Sequence, residues 1–128
     1  MVVDTSAVIA ILQSEPDANR LITALENADL LRMSAASVLE ASIVLFARYD
    51  DFGDRELDLL LHRLRIEVIP VSAEHVEIAR SGFRRFGKGR HPASLNFGDC
   101  FSYALSISLT EPLLFMGSDF GKTDVMVA

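Results

Sequence analysis

Four carboxylates stand where alternating strands and helices would gather them. Asp4 follows a short apolar run, Met1-Val-Val3, and Asp119 follows a second one, Leu113 to Met116. Glu40 lies early in a long helical stretch, and Asp99 follows Asn96-Phe-Gly98. Open α/β sheets bind their ligands outside the carboxyl ends of the strands. Acids brought together at that edge would repel and raise one another's pKa. A divalent cation offsets the repulsion, and an all-oxygen donor set suits Mg²⁺ or Mn²⁺. Such an ion holds phosphate oxygens and lowers the pKa of a bound water. The chemistry implied is hydrolysis of a phosphodiester by metal-activated water.

Each acid also has a purely local explanation. Asp4 is a good helix N-cap. Ser37-Val-Leu-Glu40 matches a capping box, although Ser34 can cap the same helix one turn earlier and leave Glu40 facing the sheet. Asp99 falls in the first turn after Asn96, where the helix dipole favours an anion. Residue by residue, both explanations stand.

The elements that must position these acids follow from the hydrophobic pattern. Met1–Val3 predicts a buried strand, and Ala7–Gln13 a helix. Pro16 fits the first turn of a second helix carrying Leu21, Ile22, Leu25 and Ala28. Leu30–Met33 predicts strand two. A long helix over 34–49 is expected to bury Val38, Leu39, Ser42, Ile43, Leu45 and Phe46. Asp50–Asp54 reads as a polar turn before a helix over Leu57–Leu64. Ile66–Val71 predicts strand three, at an edge because Pro70 cannot donate to a ladder. Ala73–Phe86 predicts a helix with Val76, Ile78, Ala79 and Phe83 inward, and Gly87 as its stop. A loop to Asn96 precedes a helix ending near Leu109. Leu113–Met116 and Val125–Val127 predict the last two strands. Strands separated by helices imply one domain with a parallel sheet covered on both faces.

The chain has 128 residues, half of them apolar, and its mean hydropathy is positive, which suffices for a full core. Ala7–Leu12 is too short to span a bilayer and lacks a basic flank, so a cytoplasmic protein without a membrane partner is expected. The single cysteine, Cys100, excludes an intramolecular disulfide and a cysteine-based zinc site. A net charge of −6 argues against coating nucleic acid by charge alone. Five of the twelve basic residues nonetheless fall between Ile78 and Gly98, a segment without Asp or Glu. They are Arg80, Arg84, Arg85, Lys88 and Arg90. Such a strip reads either as a solvated helix face with its loop or as a guide for a polyanion.

Gly82-Phe-Arg-Arg-Phe-Gly87-Lys88 nearly matches a phosphate-binding loop, but Gly89 replaces the Ser or Thr that holds Mg²⁺, and the segment ends a helix. His62, His75 and His91 lack metal spacing. No nucleophile elbow is present.

Taken together, the Val-Asp4-Thr-Ser start, Glu40 in Ser-Val-Leu-Glu-Ala, Asp99 in Asn-Phe-Gly-Asp-Cys and Asp119 in Gly-Ser-Asp-Phe resemble a PIN domain. More closely, the chain resembles the VapC toxins of bacterial toxin–antitoxin pairs. The similarity covers nearly the whole chain, including the terminal Phe-Gly-Lys-Thr-Asp124. It implies one PIN domain over residues 1–128, a three-layer α/β/α sandwich with a five-stranded parallel sheet of order 3-2-1-4-5. It implies a Mg²⁺- or Mn²⁺-dependent endoribonuclease acting on structured RNA, forming homodimers and held inactive by a VapB-type antitoxin. Asp4 and Asp99 would be the principal metal ligands, with Glu40 and Asp119 completing the catalytic acids. Many relatives carry an acid where this chain has Ser118, which puts the fourth acid at Asp119. Thr5 or Ser6 would bond Asp4 or the phosphate, and Arg85, Lys88 and Arg90 would bind the RNA backbone. The rival is a PIN-fold module that binds RNA or protein without catalysis. A phosphoryl-accepting receiver domain fits less well, because Lys122 is poorly placed for it.

Overall fold

The computed structural model describes all 128 residues. Its centre is β1 (Val2–Val3), two wholly buried β-branched residues flanked by a parallel strand on each side. β2 (Arg32–Ser34) pairs with it on one side and β4 (Leu113–Leu114) on the other. β3 (Glu67–Ile69) lies outside β2, so the order is β3-β2-β1-β4. Pro70 therefore does follow an edge strand. Val125–Val127 was expected to form a fifth strand but makes a single parallel bridge, Leu113 to Val127. The segment meets β4 only where Leu113 bonds Met126 and Ala128, which is too little for a ladder. Its position beside β4 is the expected one.

The helices cover both faces. Successive residues of a strand point to opposite sides, and Val3 and Val2 duly enter two separate cores. Val3 packs with α1 (Thr5–Leu12), α2 (Ala18–Glu26), α3 (Ala35–Tyr49) and α4 (Asp51–Arg63) through Ala7, Leu21, Ala41, Leu45 and Leu57. Val2 packs with Leu95, Leu113 and Phe115, and with α6 (Phe97–Leu109) through Tyr103 and Leu105. α5 (Ala73–Phe86) lies against α6.

Several sequence expectations need correction. α1 starts at Thr5 instead of Ala7, because Asp4 caps it. Pro16 lies outside α2, which starts after Asp17. The expected polar turn Asp50–Asp54 is mostly helix: Asp50, at φ +50°, makes the whole bend, and α4 starts at Asp51. Gly53 is inside α4 for packing, since a Cβ there would lie 2.5 Å from the Leu45 carbonyl oxygen. α3 buries Ser37, Ala41 and Leu45, a narrow stripe at fourfold spacing. Leu39, Ile43 and Phe46, expected in the core, are 61%, 61% and 48% exposed. Val76 and Phe83 of α5 are also substantially exposed, and the residue α5 buries is Gly82.

Gly82 lets α5 rest on the ring of Tyr103, because a Cβ there would lie 2.4 Å from Tyr103 Cε1. Gly82→Ala should therefore destabilise the protein by about 1–3 kcal/mol, the usual range for overpacking. Urea denaturation should show this as a lower midpoint with an unchanged slope.

Candidate active site

Asp4 is nearly fully buried where β1 ends. Its backbone N–H donates to the Leu114 carbonyl, a hydrogen bond of 2.9 Å that continues the β1–β4 pairing past the strand. The side chain caps α1. Its Oδ2 accepts from the Ser6 N–H at 2.9 Å and from the Ser6 hydroxyl at 2.6 Å. Ser6 Oγ in turn accepts from the Met116 N–H at 3.0 Å. Ser6 thus ties Asp4 to the segment leaving β4. Both bonds fall on Oδ2, which leaves Oδ1 for the cleft. Thr5 is turned inward, and its hydroxyl donates to the Ser37 carbonyl.

Asp99 opens α6 through a reciprocal cap. Its N–H donates to Asn96 Oδ1, and its Oδ2 accepts from the Asn96 N–H, both at 2.9 Å. Its carboxyl is pushed up from 3.8 to about 6. Burial is the main cause. The Asn96 N–H opposes it, and the negative charges of Asp4, Glu40 and Asp119 add to it. The cap and the site are therefore one arrangement. Glu40 is not the capping residue of α3, because Ser34 takes that place by accepting from the Ala36 N–H. Glu40 reaches instead across to α6 and fills the space beside Gly98. A Cβ on Gly98 would lie 1.9 Å from Glu40 Oε2.

Asp4, Thr5, Ser6, Glu40 and Asp99 line a cleft of about 390 Å³ at the carboxyl edge of the sheet, together with Glu15, Asn96 and Gly117. Asp119 is not among its walls. It lies at the rim, 56% exposed and 3.7 Å from the Lys122 ammonium, although its charge is felt at Asp99. Glu15 and Gly98 were not anticipated from the sequence. Ser14, at φ +53°, turns the chain so that Glu15 joins the cleft, and hydrophobic periodicity leaves no trace of such a turn. Gly98 carries a signal in hindsight, a glycine directly before the acid of a first helical turn.

Three or more of these acids do not converge tightly enough here to enclose an ion. The donor chemistry nevertheless fits a hard divalent cation: oxygen ligands only, one carboxyl pushed up by burial and then by neighbouring acids, and a glycine that leaves room for a carboxylate.

The basic residues divide. Arg85 is committed to the fold: its guanidinium is 2.8 Å from Asp124 and stacks 4.6 Å over the Phe86 ring. Asp124 also accepts from the Tyr103 hydroxyl at 2.9 Å. Burial first, and then that bond to an anion, push the Tyr103 hydroxyl up to about 12. Lys88 and Arg90 are exposed on the loop that leads to Asp99. The loop is clamped by Lys88 N–H to Leu95 and by Leu95 N–H to Phe86. Gly89 turns it at φ +81°.

A parallel sheet of this order, with acids gathered beside its central strand, is the arrangement of a PIN domain, and the PIN domain family model matches residues 1–126. Ribonuclease VapC30 of Mycobacterium tuberculosis is 50% identical over 98% of this chain and 95% of its own length. Ribonuclease VapC of Mycolicibacterium smegmatis is 51% identical over 98% of this chain and 97% of its own. The crystal structure of Mycobacterium tuberculosis VapC20, a sarcin-ricin loop cleaving toxin, superposes with a TM-score of 0.79 at 15% identity, covering 99% of this chain and 97% of that one. VapBC-1 from nontypeable Haemophilus influenzae gives 0.74 at 20% identity, over 99% and 95% of the two chains. The chain belongs to the PIN-domain family and, within it, to the VapC ribonucleases.

Two consequences are measurable. Because folding raises the Asp99 pKa, the unfolded chain releases that proton first as pH rises from about 4 to about 6. Stability falls across that window and stays at its lower level above it. Asp99→Asn should therefore raise Tm at pH 7–8 in chelator, and the gain should vanish near pH 4. Gly98→Ala should push the Glu40 carboxylate aside. RNA cleavage should fall at least about tenfold, while helical circular dichroism and cooperative unfolding persist.

Proposed function

We propose that residues 1–128 form one PIN domain acting as a Mg²⁺- or Mn²⁺-dependent endoribonuclease, the toxin of a VapBC-type pair. The observation that carries this is the cleft in which Asp4, Glu40 and Asp99 stand together at the carboxyl edge, with the half-buried Asp99 carboxyl pushed up by burial and then by the charges of Asp4, Glu40 and Asp119. A bound divalent cation would neutralise that charge, position a phosphate and supply a water of lowered pKa. Asp4 and Asp99 would hold the ion, since each keeps one carboxylate oxygen out of its cap. Glu40, lodged against Gly98, would orient a water or the ion. Asp119 at the rim would complete the acidic cluster as the more distant member. Ser6 fixes the Asp4 carboxylate by a hydrogen bond, and Thr5 braces the start of α1.

For the RNA, Lys88 and Arg90 are the phosphate contacts supported best, because they are exposed on the loop that leads into Asn96 and Asp99 of the cleft and lie in no ion pair. Arg85 has its charge met by Asp124 and serves mainly to hold the loop. Several solved neighbours are toxin–antitoxin complexes, including VapBC-1 from Haemophilus influenzae and a complex from Klebsiella pneumoniae. These neighbours, with the exposed stripe Leu39, Ile43 and Phe46 on α3, support an antitoxin partner and a homodimer. No helix is long and apolar enough to cross a membrane.

A small-RNA pool incubated with antitoxin-free protein tests the proposal. Discrete fragments are expected with Mg²⁺ or Mn²⁺, none with chelator, and none from Asp4→Asn or Asp99→Asn. Intact RNA in all lanes despite folded protein would count against it. With a cleaved substrate in hand, Lys88→Ala and Arg90→Ala should each raise KM and flatten its salt dependence, whereas Arg85→Ala should lower Tm more than it raises KM.

A further inference from the structure

Beneath the acidic cleft runs a short line of buried hydroxyls. Thr5 Oγ1 donates to the Ser37 carbonyl at 3.1 Å, and Ser37 Oγ lies 3.1 Å from Ser102 Oγ. Ser37 is 1% exposed and Ser102 is wholly buried. A hydroxyl in an apolar core is costly unless another polar group meets it. Ser102 also stands inside α6, where serine is an indifferent residue because it competes for backbone hydrogen bonds, while Ser37 is the third residue of α3. Apolar packing does not account for the two hydroxyls facing each other here.

Their places in the sequence do. Thr5 directly follows Asp4. Ser37 precedes Glu40 by three residues on α3, and Ser102 follows Asp99 by three residues on α6, which is nearly one helical turn in each case. In the cleft itself, α3 and α6 meet where the Glu40 carboxylate lies against Gly98. Two contacts between these helices lie one turn apart on α3: Ser37 with Ser102, and Glu40 with Gly98. The Ser37–Ser102 contact is a directional bond of fixed length, whereas an aliphatic pair would tolerate sliding. The Thr5–Ser37 bond adds α1 to the same bracket.

We infer that Ser37 and Ser102, braced by Thr5, are positioning residues whose buried hydrogen bonds fix the offsets among α1, α3 and α6, and so set where Asp4, Glu40 and Asp99 stand relative to one another as they take up a divalent cation. This rests on the metal-dependent site proposed above. None of the three hydroxyls is asked to touch the ion or the RNA.

The test is Mn²⁺ binding to the full chain, free of partner proteins, by isothermal titration well below the lowest Tm of the set. Wild type is compared with Ser37→Ala, Ser102→Ala, the double variant, and Asp99→Asn as reference. Each single change strands one buried hydroxyl and lowers Tm. Removing both leaves an apolar contact, so the double variant should recover most of that Tm. If the bracket positions the acids, the double variant still binds Mn²⁺ about tenfold more weakly than wild type, the lower end of what outer partners of metal ligands contribute. Affinity that tracks Tm across the three variants would mean a packing role only and would overturn the inference. Wild-type affinity in the double variant, with binding lost in Asp99→Asn, would overturn it and leave the metal site standing. No Mn²⁺ binding by wild type would overturn both.

Discussion

Repulsion among carboxylates at one edge of a short sheet is the constraint that the rest of this structure answers. The Asp99 carboxyl, pushed up to about 6 first by burial and further by the charges of Asp4, Glu40 and Asp119, registers it. Like charges in a half-buried cleft drift apart unless the backbone holds them. Here the holding is covalently close to the acids: β1 ends at Asp4, α6 begins around Asp99, and the Glu40 carboxylate occupies space that any side chain on Gly98 would fill.

Capping and site-building turn out to be one device. Asp4 and Asp99 each give Oδ2 to the N–H groups at the start of a helix and thereby fix the orientation of the whole carboxylate. The exposed N–H groups and dipole of a helix start also favour the ionised form, which partly offsets the mutual repulsion. The same hydrogen bonds that start the helices therefore aim the acids.

The charge of the surface follows a similar economy. The chain is acidic overall, yet its loop from Gly87 to Asn96, which leads into Asp99, carries the exposed Lys88 and Arg90. That loop is held by backbone hydrogen bonds and by the buried Ala93 and Leu95. The Arg85–Asp124–Tyr103 network fastens the end of α5 to the segment after β4. Acidic and basic side chains are thus segregated along the chain, a combination that net charge alone hides.

The sequence by itself determined the class of fold and most of the acids. Apolar runs interrupted by helical periodicity specify a covered parallel sheet, and the acids after those runs mark its carboxyl edge. The edge position of β3, the Ala73–Phe86 helix and the Asn96 cap were legible because each depends on a local rule: a missing donor, a 3.6-residue period, a side chain that bonds its own backbone. What escaped was decided by neighbours distant in the chain. Leu39, Ile43 and Phe46 look like core, but α3 buries a narrower stripe because Ser37, Ala41 and Leu45 are the residues that face α1, α4 and α6. Arg85 reads as an unpaired cation in the sequence, and the fold brings Asp124 beside it. Glu15 enters the cleft through a left-handed turn at Ser14, and Ser37 finds Ser102 across 65 positions of sequence. Local chemistry sets which residues begin helices and end strands. Only the packing of one helix on another decides which side chains then stand opposite.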